Sequence, residues 1–296
     1  MTEQVHNHIA HHSPERVYYE QEQFWRAERY LACDLESRRL DAVLRCVPSG
    51  IESVLDVGTG NGSFLTVVEQ QRREMRLVGL DRSQTAVRMR VCQAPALVGA
   101  SERLPFRSKS FDLVCALEVI EHLPHGVYEN SLAEIERVAS RYILISVPYA
   151  ERRTRVECPY CGCRFFSTYH LRSLDERVLK TLFRTFQLAD IRTINTRVPR
   201  WHGLVRVQEM LSRTPAMPDT AICPQCSFSP ADKSLPPRRA GAISAAVGRG
   251  ARLARRVWPR VSAPRWVMGL YQRMMDAPAE YEKAETRVSP LLGGPA

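Results

Sequence analysis

From residue 50 to about 195, short apolar runs alternate with amphipathic stretches. Near-continuous apolar segments at 53–57, 77–81, 96–99, 111–117 and 141–147 predict buried strands. Between them, apolar positions at helical spacing predict helices near 62–73, 84–92 and 129–139. Ser173–Phe186 predicts a further helix, and Gln187–Thr193 a sixth strand. Strands separated by helices imply an α/β chain with a doubly wound, mostly parallel sheet and ligands at the carboxyl ends of its strands. Ahead of this run, Pro14–Val47 has helical spacing through Tyr18, Tyr19, Phe24, Trp25, Tyr30, Leu31, Leu35, Leu40, Val43 and Leu44.

The first strand runs into Asp56-Val-Gly-Thr-Gly-Asn-Gly62, a glycine-rich turn that opens a helix. Gly58, Gly60 and Gly62 let a backbone pass close to a ligand, and a helix start offers unpaired N–H groups. The second strand ends in Asp81, placed to accept both hydroxyls of a ribose. A turn of this kind alone does not separate dinucleotide enzymes from others.

With Gly79-Leu-Asp81, Ser101-Glu-Arg-Leu-Pro-Phe106 and Phe111-Asp-Leu-Val-Cys-Ala-Leu-Glu-Val-Ile-Glu-His-Leu123 in order behind that turn, the chain resembles the class I S-adenosylmethionine (SAM)-dependent methyltransferases of the type 11 branch. The resemblance covers residues 50–150, and 165–195 more loosely. It implies a Rossmann-like seven-stranded sheet whose last strand is antiparallel; Trp266–Tyr271 is the candidate. It also implies N-terminal helices capping the pocket. Asp56 would hold the turn or meet the cofactor ammonium through water, the three glycines would admit SAM, Asp81 would bind the ribose, and Glu118 would line the methionine end. Where the family often carries an acid toward the adenine, this chain has Ala100, so Ser101 or a backbone group would serve.

Glu118, Glu121 and His122 follow the fourth strand at i, i+3 and i+4 and would share one face of a helix. Two readings stay open. In one, His122 is a general base or packed residue, with Glu121 beside it. In the other, Glu118, Glu121, His122 and His170 bind a divalent metal, Mg²⁺ or Mn²⁺ first and Fe²⁺ or Zn²⁺ next, that activates a hydroxyl acceptor. Small-RNA 2′-O-methyltransferases and ubiquinone-pathway O-methyltransferases share a similar Glu-x-x-Glu-His arrangement.

Two C-P-x-C pairs, Cys158/Cys161 and Cys223/Cys226, suit a structural zinc with four thiolates. Their separation exceeds the usual ribbon spacing. If each pair follows a neighbouring strand, a zinc clamp would tie both loops into a lid. A redox dithiol is the alternative. Cys33, Cys46, Cys92 and Cys115 look like buried apolar thiols.

Charge adds one feature. The 296 residues carry a formal net charge of +10. Between Pro236 and Met275 stand nine arginines and no acid. Residues 242–258 read as a basic amphipathic helix, and segment 238–260 could pack on the domain, rest on an anionic membrane or meet nucleic acid. No signal peptide or membrane-length apolar run stands out, so a cytoplasmic place, peripheral to a membrane at most, is expected. The histidine-rich start is read as a tail.

The expected layout is a disordered tail (1–14), cap helices (15–50), the SAM-binding core (51–194), a basic, zinc-clamped insertion with the second cysteine pair (195–264), and the last strand with a tail (265–296). The expected function is SAM-dependent O-methylation of a small-molecule, sugar or lipid-linked acceptor. An RNA 2′-O-methyltransferase and a non-catalytic SAM- or zinc-binding interaction protein are the alternatives.

Overall fold

The computed structural model describes residues 18–27, 31–151, 153–199, 217–218, 221–226, 228–230 and 259–275. The histidine-rich start and the basic stretch 238–258 lie outside the described residues.

The alternating pattern builds a doubly wound α/β sheet. Its elements are α1 (Asp34–Leu44), β1 (Ser53–Val57), α2 (Ser63–Gln71), β2 (Arg76–Asp81), α3 (Gln84–Arg88), β3 (Ala96–Val98), β4 (Phe111–Leu117), α4 (Val127–Val138) and β5 (Ala139–Pro148). A small hairpin, β6 (Arg155–Glu157) and β7 (Arg164–Phe166), and a short helix, α5 (Glu176–Leu179), come next. Then β8 (Phe186–Pro199) and β9 (Arg260–Arg273) close the sheet. Seven strands lie in the order β3-β2-β1-β4-β5-β9-β8. The first five are parallel, and β9 runs antiparallel between β5 and β8. The candidate Trp266–Tyr271 thus sits within the antiparallel strand.

Side chains alternate across this sheet. Val54, Leu113 and Leu144 enter one core with Leu40 and Val43 of α1 and Leu65 of α2. Leu55, Val114 and Ile145 enter the other with Ile135 of α4 and Phe183. Burial on both faces explains why the central strands read as apolar runs. A third core gathers Tyr18, Val156, Phe165, Tyr169, Ile222 and Phe228 around the cysteine pairs.

Two local expectations are corrected, and one element carried no signal. The helix over 173–186 shrinks to α5, started by Asp175 accepting the N–H groups of Arg177 and Val178. It stops because Glu136 accepts the N–H groups of Arg184 and Thr185, turning the chain into β8. Within the described part of 15–50, the cap is in separate pieces: helical residues Tyr18 and Tyr19, a 3-10 turn (Glu22–Phe24) and α1, with the helix broken at Glu20 and Gln21. The hairpin β6–β7 had no periodic signal; its strands are three residues each.

Candidate active site

The turn after β1 folds over β2. Gly58 and Thr59 donate to the Leu80 carbonyl at 2.7 and 3.0 Å, and Gly60 N–H donates to Asp81 Oδ2 at 2.8 Å. Gly58 has φ +74°, and an added Cβ there would lie 2.3 Å from Val119. Of the three glycines only Gly58 lines the cleft. Gly60 lies under the Trp25 ring and Gly62 against Cys92, where a Cβ would meet those side chains at 2.6 and 2.4 Å. These two glycines make room for the protein itself.

A half-open cleft lies at the carboxyl ends of β1, β2 and β4. Asp81, Ser101, Glu118 and His122 line it. Asp81 is buried, and its Oδ1 accepts Ser83 N–H at 2.8 Å. Burial raises its pKa, against the pull of the Ser83 and Gly60 N–H groups. Ser101 Oγ shares a 2.7 Å hydrogen bond with Ser131 Oγ. Asp56 is 2 % exposed, is not among the lining residues, and has no partner at Oδ1. Burial lifts its pKa to about 7.

The N-terminal segment lids this cleft with Tyr19, Glu20 and Trp25. Ser83 Oγ donates to the Tyr19 carbonyl at 2.8 Å, and Asn61 Nδ2 to the Trp25 carbonyl at 2.9 Å. Glu20 accepts the N–H groups of Gln84 and Thr85, so it caps the start of α3 from outside the helix.

Residues 118–122 form a turn, which corrects the expected helical face. Glu118 has φ +59°, a left-handed conformation uncommon for a side chain with a Cβ, and reverses the chain as β4 ends. Its carboxylate leaves the other two residues. Ser146 Oγ donates to Oε1 and Trp266 Nε1 to Oε2, both at 2.9 Å. The side chains that converge are Glu121, His122 and His170, with ligand-type atoms within 4.8 Å of one another. His170 is brought there by Tyr169, itself at φ +57°, and by Leu171 and Arg172, whose N–H groups donate to the Glu121 carbonyl.

Electrostatics in this trio are unusual. The Glu121 side chain is 1 % exposed, and neither carboxylate oxygen has a hydrogen-bond partner. Burial, then repulsion from Glu118, pushes its pKa well above the carboxylate range. Burial and His170 pull His122 down to about 3. The His122 Nδ1 shares a 2.9 Å hydrogen bond with Tyr19 Oη, and His170 Nδ1 bonds Glu151.

The second cluster is Cys158, Cys161, Cys223 and Cys226. Cys158 and Cys226 sulfurs are 3.7 Å apart, and those of Cys161 and Cys223 3.5 Å. Four thiolates around zinc at about 2.3 Å make a tetrahedron with edges of roughly 3.8 Å. Residues and spacing therefore fit that ion. Each knuckle is closed by its own backbone: Cys158 N–H donates to Cys163 O and Cys223 N–H to Phe228 O, both at 2.8 Å. Cys163 is not one of the four.

Five site residues carried no separate signal in the sequence: Tyr19, Glu20, Glu151, Ser146 and Trp266. Tyr19 and Trp266 stood in segments already read as cap and last strand, so their place could have been found by asking what those segments cover.

Residues 55–141 match the family model described as a methyltransferase domain, and the chain carries that domain. Among curated proteins, no relative matches the chain. Among solved structures, a SAM-dependent methyltransferase from Archaeoglobus fulgidus is 15% identical, over 83% of this chain and 97% of its own, with a TM-score of 0.47. The [4+2]-cyclase SpnF is 17% identical over 80% and 81%, with a TM-score of 0.49. Magnesium protoporphyrin IX methyltransferase from Synechocystis PCC 6803, with bound SAM, is 19% identical over 62% and 89%, with a TM-score of 0.46. Among the described residues, no helix is long and apolar enough to cross a membrane.

Proposed function

We propose that this chain, through the methyltransferase domain at residues 55–141, transfers a methyl group from SAM to the oxygen of a small-molecule, sugar or lipid-linked acceptor. The observation that carries the reading is one cleft lined by Gly58, Asp81, Glu118 and His122 together. Asp81 can still accept two hydroxyls, because each of its oxygens has one N–H donor and a free lone pair. Glu118, held by Ser146 and Trp266, offers negative charge to a sulfonium or ammonium.

In the transfer, the acceptor oxygen gives its proton to water and attacks the methyl carbon. The C–O bond forms, the C–S bond breaks, and the electron pair stays on sulfur. The enzyme chiefly has to align the partners and exclude water, which is the work of the Tyr19–Trp25 lid. An oxygen acceptor is favoured because the Glu121–His122–His170 trio borders the cleft through His122. We assign the four-thiolate cluster to a structural zinc, since four protein ligands leave no open position.

The test is calorimetric titration with SAM. Wild type should bind. Asp81→Ala removes two hydrogen bonds to a charged group, each about 1.5–3 kcal/mol, and should weaken binding by ~100-fold or more. Equal affinity in both proteins would sink the ribose assignment. Carbon-13 NMR of a labelled transferred methyl then separates a methoxy product from N- or S-methyl.

A further inference from the structure

His122 lines the cleft, and Glu121 lies behind it at 1 % exposure. The trio also has an unexplained cost. A buried carboxylate with two unpaired oxygens is costly to keep charged. The nearest imidazole nitrogen, His122 Nε2, is 3.8 Å from Oε1, too far for a hydrogen bond.

We propose that Glu121, His122 and His170 hold a divalent first-row transition ion beside the cofactor cleft, with Tyr19 and Glu151 bracing the two imidazoles from behind. The braces point to this. Each ring has its Nδ1 engaged, His122 with Tyr19 Oη and His170 with Glu151. His122 Nε2 lies 3.8 Å from the buried carboxylate, and the His170 ring is part of the same cluster. A histidine ligand typically has its second nitrogen held by a carboxylate or similar partner, which fixes the ring and its tautomer. Here both do. Ligand atoms bonded to one ion at about 2.1 Å lie roughly 3–3.4 Å apart. The trio, within 4.8 Å, needs only a modest closure.

The ligand chemistry selects the ion. Two imidazoles and one carboxylate suit Zn²⁺ or Fe²⁺, whereas Mg²⁺ prefers oxygen ligands and water. Glu118 is left out because its ligand atoms do not converge with the other three; Ser146 and Trp266 hold its carboxylate elsewhere. Three protein ligands leave open positions, in contrast to the thiolate cluster. His122 lines the cleft, so an open position can face an acceptor. A bound ion there lowers the pKa of a coordinated hydroxyl, whose proton leaves to water. That role rests on the methyl-transfer reading; the site itself does not.

Cobalt(II) titration of the full chain, with its thiolate cluster first saturated with zinc, tests the site. Equilibrium dialysis should count one further cobalt per chain. Its visible bands should lack the charge-transfer absorption of thiolate ligands. Glu121→Gln and His170→Gln should each weaken this binding at least ~100-fold, and Glu151→Gln, acting from behind, ~10–100-fold. Absence of a further equivalent, or undiminished binding in both ligand variants, overturns the proposal; the first result would mean that Glu121 simply keeps a proton. Displacement of cobalt by an equal concentration of Mg²⁺ overturns the choice of ion. Calorimetry with SAM on the same proteins separates the two readings. Cobalt without SAM binding leaves the metal site standing and removes its role, and SAM without cobalt does the reverse.

Discussion

The two ligand clusters sit side by side and are built on opposite plans. The thiolate cluster draws on two C-P-x-C knuckles, each closed by its own N–H···O bond, and is packed in the third core. All its donors point at one another. The Glu121–His122–His170 trio draws on a strand-end turn and a distant loop, is braced by Tyr19 and Glu151, and borders the cleft. A closed set of four strong ligands suits fixing a shape, and an open set of three suits admitting a reactant. The two meet at Tyr169. Its ring packs on Tyr18, its hydroxyl donates to Ile222 O at 2.7 Å, and the next residue is His170. Disturbance at the knuckles should therefore reach the trio, and by linkage the reverse.

The largest effect follows from Cys223→Ser. A structural zinc supplies apparent binding energy of about 10–16 kcal/mol in small zinc domains, and that energy is folding energy. The variant should lose one zinc per chain by elemental analysis. The hairpin β6–β7 should become sensitive to protease, and methyl transfer should fall as His170 loses its anchor. Retained zinc with unchanged proteolysis would break the contrast at its root.

A second effect sharpens the open side, which carries another buried acid. Asp56 has its pKa raised by burial to about 7, above an unfolded value of 3.8. The folded state therefore binds the extra proton between those values. Stability is fully present below about pH 4 and declines as pH rises through about 7. Three units correspond to ~4 kcal/mol. Asp56→Asn should flatten this decline, read as melting temperature against pH. If a cofactor ammonium meets Asp56, the same variant weakens SAM most at pH 8. A wild-type melting temperature constant from pH 4 to 8 would refute the buried charge.

How far these two regions were legible follows from how local their signals are. The sheet could be read because burial on both faces writes continuous apolar runs, as in Ser53–Val57 and Phe111–Leu117, and both strands have the expected bounds. The four cysteines were legible because C-P-x-C carries its geometry within four residues. Glu118, Glu121 and His122 were read as one helical face, with His170 as a separate fourth ligand. Spacing alone could not show that Glu118 takes a left-handed turn and is claimed by Ser146 and Trp266, 28 and 148 residues away. The lid had an aromatic signal, but its helix breaks after Tyr19, where the Tyr19 and Trp25 carbonyls are taken by Ser83 and Asn61 and the Glu20 side chain by α3.

The smallest effect is the most specific to the comparison. Tyr169→Phe keeps the ring in its core and removes only the hydroxyl. The Ile222 carbonyl would lose that buried partner, at a cost of about 1–3 kcal/mol. The zinc count should stay at wild-type level, because no thiolate is touched. Cobalt affinity at the trio should fall by only ~5-fold, the equivalent of about 1 kcal/mol, since His170 keeps its bond to Glu151. In a double-mutant cycle with Glu151→Gln the two losses should be non-additive, because both act on the placement of one ring. Strict additivity would mean that the knuckles and the trio share a border without sharing strain, and the link between closed and open clusters would fall.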